Sequence, residues 1–145
     1  YMIAGILQRA EEMTAFLNPT ENSYKRFGKN KAPAYISWSS ENRSQLVRIP
    51  AAVGEYRRAE FRSPDPTSNP YLAFTLMIYA GLYGLENKLD LPSPANINLF
   101  KASAETLAKY KKLPENFSRA CEIAAASDFI KEHIPAEILN IYCNR

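Results

Sequence analysis

Residues 56–74 read YRRAEFRSPDPTSNPYLAF, a charged strand followed by the start of an apolar helix. Successive side chains of a strand point to opposite faces, so Arg58, Glu60 and Arg62 share one face of a strand predicted over residues 56–62. That face carries a plus-minus-plus row of charges. The alternate residues of the strand take the other face.

The second half of the same stretch predicts a long helix. Asn69 is a good N-cap and Pro70 a good first helical residue, because a proline at that position gives up no helical hydrogen bond. The helix is predicted to extend to about Lys88. Because it is apolar nearly all round, we expect the sheet and the first helix to cover it on most sides.

Working outward from this stretch, apolar residues recur at three- and four-residue steps between Met2 and Leu17. This pattern predicts an amphipathic helix that ends before Pro19. Two further strands, rich in β-branched or aromatic residues, are predicted over residues 34–38 and 45–49.

Short helices are predicted from Ser103 onward, one of them capped by Ser127 or Asp128. The chain shows no internal repeat and no low-complexity tract. The sequence therefore predicts one domain over residues 1–145 of the α+β class, with a short antiparallel sheet packed against helices.

The composition excludes several classes of protein. The 145 residues are 46% hydrophobic and 23% charged with a net charge of +3, which argues against disorder, a basic nucleic-acid arm and an acidic tail. The longest apolar run, from Tyr71 to Leu85, is shorter than the roughly 20 residues of a membrane span. Cys121 and Cys143 lack the spacing of a disulfide framework, and we expect a cytoplasmic segment that begins inside a longer gene product.

Five of the nine arginines lie between Arg43 and Arg62, in the predicted strand region. Arginine carries a rigid planar fork of donors that stays charged and matches carboxylate or phosphate. Glu60, between Arg58 and Arg62, is kept ionised by both neighbours and suits a hard cation such as Mg²⁺. From this pattern alone, a solvated face with weak cross-strand pairs is favoured over an anion site.

Four short motifs along the chain favour the anion site instead of the solvated face. They are NSYKR at 22–26, NRS at 42–44 leading to VRIP at 47–50, RRAEFRSPDP at 57–66 and NPYLAF at 69–74. In their residues and in their order along the chain, these motifs resemble those of glutamine synthetases, and the resemblance is densest between residues 16 and 100. The resemblance covers about the last third to two-fifths of a family member, the C-terminal part of the catalytic domain.

This resemblance implies roles for individual residues. Arg26 and Arg62 would grip the carboxylate of glutamate, and Arg43 would lie near the phosphoryl group that passes from ATP to glutamate, as a substrate-binding and catalytic residue. The ATP phosphates would be bound by three arginines: Arg43, Arg48 and Arg58. The metal ligand would be Glu60, on Mg²⁺ or Mn²⁺. These roles require four side chains to converge on one pocket: Arg26, Arg58, Glu60 and Arg62.

In the family, ATP converts glutamate to γ-glutamyl phosphate, and ammonia then displaces the phosphate to give glutamine. The family's other metal ligands lie upstream of Tyr1, so the isolated chain is expected to be inactive. His133 does not match a family ligand and is expected to have a surface or packing role. The resemblance also implies a ring-shaped, dodecamer-like homo-oligomer for the full-length protein.

Two positions depart from the family pattern. Lys31 stands where members usually carry a glutamate that helps deprotonate ammonium, and a lysine ammonium would repel that cation. The alternative is that Lys31 points to solvent. Phe100 stands where some bacterial members carry a tyrosine that is adenylylated, so that control is expected to be absent.

Other functions remain open at this stage. A γ-glutamyl-amine or polyamine ligase of the same superfamily would use the same arginines, and Lys31 leaves the ammonia half-reaction open. A non-catalytic assembly module that kept the fold is a second alternative. Nucleic-acid binding is a weak third, because a net charge of +3 lacks the excess positive charge that such a surface usually shows.

Overall fold

The computed structural model describes residues 1–29 and 31–144. Its helices are α1 (Met2–Leu17), α2 (Glu21–Tyr24), α3 (Pro70–Glu86), α4 (Ala104–Leu107), α5 (Phe117–Ala126), α6 (Asp128–His133) and α7 (Ala136–Cys143). Its strands are β1 (Trp38–Ser39), β2 (Val47–Arg48) and β3 (Glu60–Phe61), and a 3-10 helix spans Gly54–Tyr56. Among these residues, no helix combines the length and apolarity that crossing a bilayer requires.

The three strands form one sheet in the order β1-β2-β3, so the α+β class with a small sheet is confirmed. The expected antiparallel pairing holds between β2 and β3 and is wrong between β1 and β2, which are parallel. Side chains direct the chain between them: the Ser39 hydroxyl accepts hydrogen bonds from the N–H groups of Glu41 (3.1 Å) and Asn42 (3.2 Å). These bonds fold the connection into a loop instead of a hairpin.

The strands are also shorter than predicted, each with two residues. The first half of the predicted strand 34–38 pairs elsewhere: the N–H of Ile36 donates to the carbonyl of Lys111 and that of Leu113 to the carbonyl of Ala34, both at 2.8 Å. This contact joins segments far apart in the sequence. Local pattern therefore could not identify the partner.

Helix α1 has the predicted bounds and links the two apolar clusters of the fold. Leu7 and Ala10 pack with Val47 of the sheet. Met13, fully buried, packs with Leu76 of α3. Because different residues of α1 meet the sheet and α3, this helix joins the two layers.

The backbones of α1 and α3 touch at a pair of glycines. A Cβ atom at Gly5 would lie 2.0 Å from the carbonyl oxygen of Ala80, and one at Gly84 would lie 2.1 Å from the carbonyl oxygen of Tyr1. Both distances are far below van der Waals contact. Only glycine allows the two helices to approach this closely.

Helix α3 begins as predicted, because the Asn69 side chain accepts hydrogen bonds from the N–H groups of Tyr71 (2.9 Å) and Leu72 (3.4 Å). The expectation that other elements cover most of α3 is wrong. It packs against α1 and α6 on one side, and the sheet packs on α1 instead. Large apolar side chains on its other side are open to solvent.

The C-terminal helices agree with the prediction in two details. Ser127 caps α6 by accepting a hydrogen bond from the N–H of Ile130 (3.1 Å). His133 stacks on Tyr79 with ring centroids 4.0 Å apart and meets the edge of Phe129 at 4.9 Å. The packing role expected of this histidine is therefore confirmed.

Candidate functional site

The register between β2 and β3 separates charged from apolar side chains. Arg48 pairs with Glu60, and Val47 pairs with Phe61. Val47 is buried and Phe61 packs against both apolar clusters, whereas Arg48 and Glu60 stay partly exposed. The alternation predicted for the third strand thus sets Glu60 and Phe61 on opposite faces.

Glu60 is held by two guanidinium groups. Its Oε2 atom accepts a hydrogen bond from Nη1 of Arg48 at 3.1 Å, and its Oε1 atom accepts one from Nη2 of Arg58 at 3.2 Å. The hydrogen bond from Arg48 is the main cause that lowers the pKa of Glu60, followed by the charge of Arg48 and the contact with Arg58, against an opposing effect of burial. Glu60 is therefore ionised at neutral pH.

Arg62 lies beside this ion-pair network. Its Nη2 atom donates to the carbonyl oxygen of Lys31 at 2.8 Å, and its buried Nε atom has no hydrogen-bond partner within residues 1–29 and 31–144. Burial lowers the pKa of Arg62, and the charges of Arg43 and Arg48 act in the same direction, while Glu60 opposes them. We call the group of Arg43, Arg48, Arg58, Glu60 and Arg62 the arginine face.

The arginine face has spare capacity for an anion. It carries four positive charges against one negative charge. An arginine offers five N–H donors, and each contact to Glu60 uses one of them. The positively charged guanidinium groups repel one another, and an anion between them would remove this repulsion. The face is therefore suited to bind phosphate or carboxylate.

Two grooves border the arginine face. One, of about 380 Å³, runs between residues 49–52 and the pair Arg57 and Arg58. The other, of about 290 Å³, is lined by Arg43 together with Ser39, Glu41, Asn42 and Asn96. An elongated anion lying across the face would therefore meet cationic side chains from both grooves.

Arg26 lies apart from the arginine face. It donates from Nη2 to the side-chain oxygen of Asn18 at 2.6 Å and to the carbonyl oxygen of Ser63, and its Nε atom is 3.3 Å from Oδ2 of Asp65. Burial lowers the pKa of Arg26, although Asp65 opposes this shift. Within the described residues, Arg26 is connected to Arg62 only through the backbone of the neighbouring Ser63.

Sequence reasoning missed the polar groups that hold Arg26. Asn18 and Ser63 are fully or almost fully buried and joined by a hydrogen bond of 3.2 Å. Asp65 shapes the turn after β3 by accepting hydrogen bonds from the N–H (2.8 Å) and hydroxyl (2.6 Å) of Thr67, and it also pairs with Arg26. The available signal was the polar Asn18 directly after the apolar face of α1.

The described residues contain no group of three or more His, Cys, Asp or Glu side chains that could hold a metal ion. Glu60 alone supplies a carboxylate on the arginine face. Each of its oxygens keeps a lone pair beyond the one bonded to arginine, so it can serve as one ligand of a cation. Mg²⁺ requires six ligands, and the neighbouring arginines repel it unless further anionic groups or phosphate are present.

The whole chain, residues 1–145, matches the family model described as glutamine synthetase, catalytic domain. The glutamine synthetase of Methanosarcina mazei is 44% identical over 145 residues, which cover 98% of this chain and 32% of that protein. The glutamine synthetase of Thermotoga maritima is 44% identical over 133 residues, 90% of this chain and 30% of that protein. The chain thus spans about a third of the length of these relatives.

The fold resembles two solved structures of GmaS. The GmaS/ADP complex matches with a TM-score of 0.83 and 29% identity, over 99% of this chain and 33% of the other. Apo GmaS without ligand matches with a TM-score of 0.82 and 30% identity, over 97% of this chain and 32% of the other.

Proposed function

This chain belongs to the glutamine synthetase catalytic-domain family, and from that premise we propose that it supplies the phosphate- and glutamate-binding arginines of an ATP-dependent ligase that joins glutamate to ammonia. The observation that supports this most is Glu60, held between Arg48 and Arg58 on a face that carries two further arginines. Such a ligase needs positive charge where a phosphoryl group is transferred, because that step depends on positioning and neutralisation of charge.

Arg48 and Arg58 are proposed to bind the ATP phosphates. Their contacts to Glu60 fix both guanidinium groups before a nucleotide arrives and leave most of their donors unused. Arg43, exposed at the edge of the face, is proposed to contact the phosphoryl group during transfer to form γ-glutamyl phosphate. The charge of Arg43 lowers the pKa of Arg62, so the two guanidinium groups are close enough to interact.

Arg62 and Arg26 are proposed to hold the carboxylate of glutamate. Among the described residues, the buried Nε atom of Arg62 has no hydrogen-bond partner, and that of Arg26 lies 3.3 Å from Oδ2 of Asp65. Arg26 donates to the carbonyl oxygen of Ser63, the residue that follows Arg62 in the chain. A carboxylate placed between them would accept hydrogen bonds from guanidinium N–H groups that the protein leaves unused.

Glu60 is proposed to bind Mg²⁺ or Mn²⁺, which when bound neutralises charge on the phosphates. The other ligands of that ion have no counterpart among the described residues. This is why we expect the 145 residues to be inactive alone. The complete enzyme is proposed to be a homo-oligomeric ring.

Lys31 favours a second candidate, a γ-glutamyl-amine ligase of the same family. Lys31 adopts a positive φ of 64°, and its carbonyl oxygen accepts the hydrogen bond from Arg62, while its side chain is exposed. The residue therefore fixes a glutamate-binding arginine through its backbone. The positively charged Lys31 side chain stands where the resemblance implies a glutamate that attracts the ammonium substrate. This charge reversal favours an amine that is neutral or bound in another way.

A chimera tests both candidates. Residues 1–145 replace the matched third of the Methanosarcina mazei enzyme, and glutamate-dependent ADP formation is measured with ammonium, methylamine and a polyamine. Activity with ammonium supports glutamine synthesis, and a preference for an organic amine that Lys31→Glu reverses supports the second candidate. A folded chimera without glutamate-dependent ADP formation would refute both.

A further inference from the structure

Both cysteines of the chain line one groove. Cys121 lies near the middle of α5, and Cys143 is the last residue of α7. The groove has a volume of about 380 Å³, and the side chains on its wall are thiols in this structure. Two thiols that are distant in sequence are therefore brought into one small space by the fold.

The helices that carry the two thiols touch at this point. The Sγ atom of Cys121 donates to the carbonyl oxygen of Tyr142 at 4.0 Å. That carbonyl belongs to the peptide bond between Tyr142 and Cys143, so standard bond lengths place the Cα atom of Cys143 within about 7 Å of the Cys121 sulfur. A disulfide requires Cα atoms about 4.4–6.8 Å apart. Because Cys143 ends its helix, where the backbone adjusts easily, a small movement there closes the bond.

A buried tyrosine gives a second indication that the two sulfurs are close. The ring of Tyr24 lies 6.3 Å from that of Phe117, which also lines the groove. Burial raises the pKa of Tyr24, and the charges of Cys121, Glu21 and Cys143 act in the same direction. Both sulfurs are therefore near the same tyrosine hydroxyl.

The two thiols differ in their exposure to solvent. Cys121 is 7% exposed and belongs to the buried cluster that contains Met13 and Leu76. Cys143 is half-buried and packs at the edge of this cluster. A reagent in solution reaches Cys143 first, and the buried Cys121 is positioned to react with the product. This is the arrangement of an attacking thiol next to a resolving thiol.

We propose that Cys121 and Cys143 form a reversible redox site, at which a small disulfide such as oxidised glutathione converts the two thiols into an intramolecular disulfide. The thiolate of Cys143 attacks one sulfur of the oxidant, whose S–S bond breaks, and one glutathione thiolate leaves and takes up a proton. The thiolate of Cys121 then attacks Sγ of Cys143 and releases the second glutathione thiolate. The cysteine pair loses two electrons, and the oxidant gains them as two thiols. The proposed ligase chemistry uses neither cysteine.

The disulfide clamps α7 onto the rest of the fold. No residue of α7 is buried, and the helix is held against α5 by partly buried side chains that include Leu139 and Tyr142. A cross-link removes unfolded conformations in which the two helices are far apart, and this stabilises the folded chain. The oxidised chain therefore unfolds at a higher temperature than the reduced chain.

The first test identifies the bond. The 145-residue chain is incubated with oxidised glutathione, the remaining thiols are alkylated, and the mass is measured. We expect a monomer that is about 2 Da lighter and carries no alkylated cysteine, and we expect dithiothreitol to restore both thiols. Because the chain contains two cysteines, this product can only join Cys121 to Cys143. Two unreacted thiols, stable glutathione adducts on both cysteines, or a disulfide between two chains would overturn the proposal.

The second test separates the roles of the two thiols. In Cys121→Ala the mixed disulfide on Cys143 cannot be resolved, so we expect it to accumulate with a mass gain of about 305 Da. Cys143→Ser leaves only the buried thiol, and we expect its reaction with oxidised glutathione to be at least about tenfold slower. Equal reaction rates for the two variants would overturn the proposal.

The third test measures the clamp by thermal unfolding. We expect the oxidised chain to melt about 5 °C or more above the reduced chain. Cys143→Ser is the matched control, and its melting temperature should be the same with and without oxidised glutathione. An oxidised chain that melts at the temperature of the reduced chain would overturn the clamp.

Discussion

The close contact between α1 and α3 makes Gly84→Ala a sharp test of the fold. The added methyl group would lie 2.1 Å from the carbonyl oxygen of Tyr1 and 2.8 Å from the backbone nitrogen of Gly5. Both neighbours are backbone atoms, so the helices must separate. Overpacking of this kind costs about 3 kcal/mol, whereas alanine is better than glycine in a helix by about 1 kcal/mol. The net loss is about 2 kcal/mol.

Gly81→Ala is the matched control on the same helix. Its added methyl group would lie 3.1 Å from the terminal carbon of Met2, a flexible side chain that can move away. We therefore expect Gly81→Ala to be neutral or slightly stabilising, because the helix preference of alanine remains.

Thermal unfolding followed by circular dichroism measures both variants. For a chain of this size, a loss of about 2 kcal/mol lowers the melting temperature by about 4–8 °C. Equal melting temperatures for Gly84→Ala and Gly81→Ala would refute the close helix contact.

Three further predictions concern the site. Arg26→Lys loses the planar contacts to Asn18 and Ser63, and we expect urea unfolding to show a loss of about 1–3 kcal/mol; an unchanged midpoint would contradict this. Burial raises the pKa of Asp65, but hydrogen bonds from Thr67 and the charge of Arg26 outweigh it and hold the pKa below its usual value. Asp65 then contributes stability above the unfolded pKa of about 4, which is lost as pH falls through the folded pKa. The difference in unfolding free energy from Asp65→Asn should shrink in acid, and a difference that is constant with pH would refute this. The isolated chain should form no γ-glutamyl hydroxamate from ATP, glutamate and hydroxylamine, and ATP-dependent product would contradict the inactivity proposed for it.

The features that were predicted correctly depend on local chemistry. The bounds of α1 follow from its apolar spacing and the Asn18-Pro19 stop, and the start of α3 follows from the Asn69 cap before Pro70. The family was also identified from linked motifs, and the match over residues 1–145 confirms it.

The features that were missed depend on distant residues. The pairing of Ala34 and Ile36 with residues 111–113 has no local signal, and neither does the parallel pairing of β1 with β2. The coverage of α3 was wrong because an apolar composition shows that a surface favours burial, without showing whether a partner is present.

The sequence by itself determined which residues can carry the chemistry: arginines clustered between residues 43 and 62, with one carboxylate at Glu60. Only the tertiary structure decided which of them meet. Arg48 joins Glu60 because β2 and β3 pair in one register, and Arg26 turns to Asp65 and Ser63 because buried acceptors there need donors. Residue type sets what a side chain can bind, and distances between remote segments, set by packing, select the partner.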